Sequence, residues 1–247
     1  MLTLIRQELY KQLHGKFYIG WGIVTLAMAL FAGFVYHSSK ELSQINANGP
    51  IFSSAIIVVL VAMIVFASSI LTTDFSNNTV KYLFARQFSR GKIFLSKLVT
   101  IVVMYVYLLV VSFVSTLIAN ALFNKMRSIP FDVFGNRISG MSFYLFLMLS
   151  LVLLISCLFK SNAVAIAIGI VFYFVVSIIN PFLSIFIYYH SWVKYIPLTF
   201  LNVYSQTISP MMSEMTKLSL NEMRVGSIIW GIVFLLITYV VYNRRNV

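Results

Sequence analysis

Six carboxylates, three histidines and one cysteine are the whole stock of ordinary acid–base, metal-binding and nucleophilic side chains in this sequence. Their spacing assembles no reaction centre. A helical metalloprotease needs Glu and His about a turn apart, whereas His14, His37 and His190 stand far from one another and each reads as a solitary surface histidine. Cys157 has no second cysteine to pair with and lies in an apolar stretch, where it reads as a lipid-packed residue. The phosphate-cradling pattern GxxxxGK followed by Ser or Thr is missing, because the Gly-Lys pairs at Gly15 and Gly91 lack both the upstream glycine and the hydroxyl. The expectation is therefore a chain with no catalytic, cofactor-binding or metal site, and not an enzyme.

The constellation that does carry information is the stretch Asp74 to Lys92, DFSNNTVKYLFARQFSRGK. Asn77, Asn78 and Thr79 can cap a helix on which Val80, Leu83, Phe84 and Phe88 recur at helical spacing while Lys81 and Arg86 point away. Gly91, after Ser89 and Arg90, reads as a break before the next apolar run. A short helix with aromatics and cations on its surface suits a groove in another protein; it would equally lie flat on lipid headgroups.

The elements that must hold this stretch are written in the composition. Hydrophobic residues make up 60% and charged residues 10% of 247, too few charges to coat a soluble domain of that size. A helix crossing about 30 Å of hydrocarbon needs roughly 20 residues. Six uncharged runs meet that length, at about 17–36, 51–73, 98–123, 141–159, 163–187 and 225–242. They are continuous rather than alternating, which argues for helices and against a β-barrel. The fold class expected is an all-α membrane protein, with residues 1–247 forming a single transmembrane domain.

An even number of crossings puts both termini on one side. That side holds eleven basic residues against Glu8 and Asp74, net +9, while the other holds seven against Glu41, Asp132, Glu214 and Glu222, net +3. The positive-inside rule makes the first side cytoplasmic. No removable signal peptide or lipidation motif is evident. Residues 1–16 read as an amphipathic helix on the inner leaflet, with Leu2, Ile5, Leu9 and Leu13 on one face and Arg6, Glu8 and Lys11 off it, acting as a passive anchor or positioning the first crossing. Trp21, Trp192, Tyr195, Tyr239 and Tyr242 fall near the expected interfaces. On the outside, Tyr188 to Arg224 is long for a connector, and its apolar content points to short interfacial or re-entrant helices. Asn180 with Pro181 should kink or end the fifth crossing, as part of an outer gate or as a plain terminus.

Ion-coupled carriers place carboxylates, His or Lys at membrane depth, and an insertase-type groove wants a buried cation; none falls inside the six runs. Anything moved uphill must draw its energy from a partner. The small-residue pairs Ala29 with Gly33 and Ala165 with Gly169 permit close helix contact.

This layout resembles the permease subunits of type-2 ABC exporters over essentially the whole chain. The best local match is the second cytoplasmic segment, where that family tends to show an acidic residue ending the second span, then Gly-Thr, and a Pro-x-Ser-Arg turn before Lys. Here these fall on Asp74, Asn78-Thr79, Gln87-Phe88-Ser89-Arg90 and Lys97, with Asn78 in place of the glycine and Gln87 in place of the proline. The resemblance implies a coupling helix within Asp74 to Lys92, seated in a cleft of a separate ABC ATPase subunit, with Asp74, Asn78, Thr79, Val80, Leu83, Phe84, Arg86, Phe88, Ser89 and Arg90 as the coupling residues. It implies ATP and Mg in that partner, two ATPases with two permeases (a homodimer expected), and a bacterial plasma-membrane location. Asn180, Pro181 and Pro197 would belong to the outer gate. The small size and aromatic character look most similar to exporters of amphipathic or antimicrobial peptides, of bacteriocin-immunity or phenol-soluble modulin type. Two other readings stay open: a substrate-capture subunit of an energy-coupled importer, and a membrane assembly protein with no transport role.

Overall fold

The computed structural model describes residues 2–39, 46–76, 89–124 and 127–244, and among them the regular structure is entirely helical. In chain order the helices are α1 (Leu2–His14), α2 (Phe17–Ser38), α3 (Asn48–Ser76), α4 (Arg90–Phe123), α5 (Phe131–Ser156) and α6 (Asn162–Tyr189). A 3-10 turn at Ser191–Tyr195 follows, then α7 (Pro197–Phe200), α8 (Val203–Ile208), α9 (Met212–Thr216) and α10 (Leu220–Arg244). Six of them, α2 to α6 and α10, are long and apolar enough to cross a membrane, as in a multi-pass membrane protein. Of these α3 and α5 are the most buried. The others keep broad apolar faces, such as Ile23, Phe31 and Phe34 on α2 and Phe174, Ile178 and Phe182 on α6, that acyl chains would solvate.

The ends of these helices follow local chemistry. Pro50 sits in the first turn of α3 and Phe131 follows Pro130, both positions where a missing N–H removes no helical bond. At α10, Ser219 and Glu222 form a capping box: the Ser219 N–H donates to Glu222 Oε2 at 2.7 Å and the Glu222 N–H donates to Ser219 Oγ at 3.3 Å. Ser and Thr inside the helices are satisfied without water, since Thr25 donates to the Trp21 carbonyl, Thr100 to that of Ser96 and Thr116 to that of Ser112.

Several expected boundaries move outward. Helix α4 begins at Arg90, eight residues before the apolar run, so Lys92 and Lys97 are helical and the break expected at Gly91 falls one position past the helix start. Helix α5 takes in Asp132 and Arg137. Charge limits how much of a helix hydrocarbon can cover, not where its hydrogen bonds stop. Pro181 does not end α6, which continues to Tyr189; the proline removes only the N–H that would have bonded the Ser177 carbonyl.

The chain divides into two compact units, residues 1–63 with 92–134 and residues 64–91 with 135–247. The first has a small-residue core of Ala29, Ala32, Ala47, Ile51, Ala55 and Ala119. Gly33 belongs to it: a methyl there would meet a Phe123 ring carbon at 2.9 Å and Ala119 Cβ at 3.3 Å, so α2 and α4 need the missing side chain. Phe52 stacks on Phe134 at 4.4 Å, and Phe113 meets the same ring edge-on. In the second unit Gly169 of α6 lies against Ser68 of α3, and Gly231 of α10 against Phe146 of α5. Both small-residue pairs noted in the sequence thus mark close crossings.

Candidate functional site

The two flanks of the stretch 74–92 are in place, but Asn78, Thr79, Val80, Leu83, Phe84, Arg86 and Phe88 lie outside the described residues. Asp74 is in the last turn of α3. Ser89 is exposed, and Arg90 opens α4. A cation at a helix N-terminus opposes the dipole, yet Arg90 is turned to use: its guanidinium donates to the Asn243 carbonyl at the C-terminal end of α10, where positive charge is favoured. Gly91 lies beside Tyr239 of α10, its would-be Cβ 3.2 Å from the phenol oxygen. The return limb of the stretch is therefore anchored to the last turns of α10.

The second candidate region, between α6 and α10, is a folded layer and not a loose loop. Leu183 and Ile187 of α6 pack on Val193, with Ile196 and Leu198 against them. Pro197, between those last two residues, opens α7 at the position a proline favours. Thr199 Oγ1 donates to the Val193 carbonyl at 3.0 Å, and Trp230 Nε1 of α10 donates to the Tyr195 carbonyl at 3.1 Å. Further along, the buried Gln206 amide donates to the Leu218 carbonyl at 2.8 Å and accepts from Thr216 Oγ1 at 3.1 Å, clipping α8 and α9 to the start of α10. Phe200 fills the space that a side chain at Gly226 would need. Asn180 and Pro181 sit nearly one turn before Leu183 on α6, and the Asn180 Oδ1 atom is buried without a hydrogen-bond partner. Of the three expected gate residues, Pro197 is part of this layer, whereas Asn180 and Pro181 belong to the helix it packs on.

Two polar clusters in the first unit were not visible in the sequence. In one, Lys97 and Glu8 are both buried, at 1% and 4% exposure, with Lys97 Nζ 3.9 Å from Glu8 Oε1; Lys11 Nζ donates to the same oxygen at 3.1 Å. The expected apolar stripe on α1 is only partly the docked face: Leu4 and Glu8 are buried, Ile5 and Leu9 half-buried, and Leu13 exposed. The i to i+4 spacing of Leu4 and Glu8 was the available signal, masked by reading Glu8 as a surface charge.

In the other cluster, Asn48 Nδ2 lies 3.2 Å from each of the Arg127 and Ser128 carbonyls, Asn120 Nδ2 donates to Arg127 at 3.0 Å, and Asn46 Nδ2 to Ser128 at 2.9 Å. Asn124 Nδ2 donates to Asn48 Oδ1 at 3.1 Å. Nearby, His37 Nδ1 donates to the Phe123 carbonyl at 2.9 Å. These bonds satisfy the carbonyls of the turn that leads from α4 to α5. Among the described residues no three His, Cys, Asp or Glu side chains converge as metal ligands.

What these arrangements do chemically is hold geometry: carbonyls are tied, helix ends are anchored, and a surface segment is flanked by two long helices. The chain belongs to the family described as protein of unknown function, DUF2705, which it matches over residues 23–247. No curated protein matches it.

Proposed function

We propose that this DUF2705 protein is the membrane-embedded subunit of an ATP-driven exporter, worked by a separate ATPase that grips the segment between α3 and α4. The observation that carries the reading is the anchoring of that segment. It leaves one long apolar helix and returns to another whose first residue, Arg90, is bonded to the end of a third. A push on residues 77–89 would be delivered to the ends of α3, α4 and α10 rather than dissipated in a free loop. The charge asymmetry of the sequence puts this segment and both termini in the cytoplasm of a bacterium, where an ATPase can reach them. Two copies of the permease and two ATPases form the working unit. ATP-driven closure of the ATPase pair switches the permeases between inward-open and outward-open or collapsed states. The layer formed by α7 to α9, with Asn180 and Pro181 below it, is the outer gate. Cargo is an amphipathic peptide, whose apolar face suits a pathway of Phe, Met, Ile and Ser side chains.

The test is copurification with the ATPase encoded nearest to this chain. Wild-type protein should retain it, and Phe84→Asp, which puts a carboxylate on the aromatic face of the segment, should lose it while the permease itself still purifies. Undiminished retention by Phe84→Asp and by Leu83→Asp would overturn the assignment of the segment.

A further inference from the structure

The buried Glu8–Lys97 pair calls for a role beyond anchorage. A lysine at 1% exposure must keep its charge compensated, because an ammonium stripped of both water and counter-ion is far more costly than a paired one. Glu8 supplies a carboxylate at 3.9 Å, and it comes from a helix with little else to hold it. Of the apolar residues expected to seat α1, Ile5 and Leu9 are half-buried and Leu13 is 55% exposed. Thirteen residues are also close to the limit for an isolated helix in water.

The connection to α2 supplies the other half of the argument. Gly15 closes α1, its N–H donating to the Lys11 carbonyl at 2.9 Å, and Lys16 follows with φ 54°, a left-handed conformation in a residue with a Cβ. That single sharp turn separates two otherwise regular helices and is where a change of direction is easiest.

We infer that α1 is a hinged flap, turning at Gly15 and Lys16 and latched onto α4 by the Glu8–Lys97 ion pair. Latched, the flap hides its one acidic residue and follows any movement of the first turns of α4. Released, it leaves an uncompensated lysine on α4 and frees a helix whose other charges, Arg6 and Lys11, are basic. The latch goes beyond the transport reading and does not need it, since both partners lie in this chain.

The experiment uses purified full-length protein in detergent, with a cysteine at the buried Leu4 position (Leu4→Cys), one turn from Glu8, and a water-soluble maleimide as the probe. Labelling should be slow in the parent and about tenfold faster or more in Glu8→Gln and in Lys97→Gln, because either change leaves one charge buried alone. Glu8→Gln with Lys97→Gln together should fall back towards the parent rate, the lone charge having been removed, and Lys11→Gln should leave the rate unchanged. Native Cys157, itself buried, is followed in the same samples without Leu4→Cys to report wholesale unfolding. Single variants that label no faster than the parent, or a double variant as fast as the singles combined, would overturn the latch. Labelling of Cys157 in the single variants would overturn it too, because the pair would then hold the whole fold and not the flap alone.

Discussion

At the scale of single residues, what decides each contact is whether a side chain is absent where two elements meet or present where a polar atom needs a partner. Gly226 shows the first case. Phe200 occupies the volume above it, so Gly226→Val should lower stability in detergent by about 1–3 kcal/mol, read as a drop in the thermal midpoint. Adding Phe200→Ala should recover part of that loss by vacating the space; an unchanged midpoint for Gly226→Val would mean the two residues are not in contact. Asn48 shows the second case. It donates to two carbonyls and accepts from Asn124, so no apolar residue of its size can replace it without stranding polar groups at about 1–3 kcal/mol each. Nothing in the sequence distinguishes Asn48 from other asparagines, because its partners are carbonyls some 80 positions away, a relation that composition and spacing do not record. Lys97 was hidden for a different reason. Limits drawn to exclude charge placed it just outside a span, whereas a carboxylate from α1 lets the helix bury it.

Among the elements, the long helices were the most legible, because length and apolarity are local properties that a bilayer reads directly. All six crossings expected from the sequence correspond to helices that meet the same requirements. Their ends were less legible, as α4 and α5 show: hydrogen bonding carries a helix past the point where hydrocarbon would tolerate it. The short helices α7 to α9 were expected only as a class, and their stability comes from side chains that reach between them. Gln206 is the clearest. Replacing it with leucine strands the Leu218 carbonyl and the Thr216 hydroxyl, so Gln206→Leu should raise amide hydrogen exchange across residues 203–218 several-fold. Exchange in the middle of α3 should stay as it was. An equal rise in both places would show that the layer is not a separate element resting on α6 and α10.

For the whole molecule, orientation is the property on which the functional reading turns, and it was inferred from the distribution of charge alone. Ser89 offers the test, being exposed and next to the anchored Arg90. In a background with Cys157→Ala, Ser89→Cys should resist a membrane-impermeant thiol reagent in intact cells and react once the membrane is opened. A cysteine at exposed Met211, between α8 and α9, should behave in the opposite way. Labelling of Ser89→Cys from outside would reverse the topology and remove the ATPase from reach. The central piece of the candidate site was legible only as a pattern of aromatics and cations, since its recognition depends on a second protein whose groove this sequence does not encode.

The placing of Glu8 has a further consequence during synthesis. A lysine seven residues into α4 is a cost to any machinery that must slide that helix sideways into lipid. The ribosome has already delivered the neutralising carboxylate by then, eighty-nine positions earlier, on a helix tethered beside α2. A protein trimmed at its leading end would thus meet its difficulty as the nascent chain is being inserted, before any question of transport arises, and would be seen as poor membrane yield instead of lost activity.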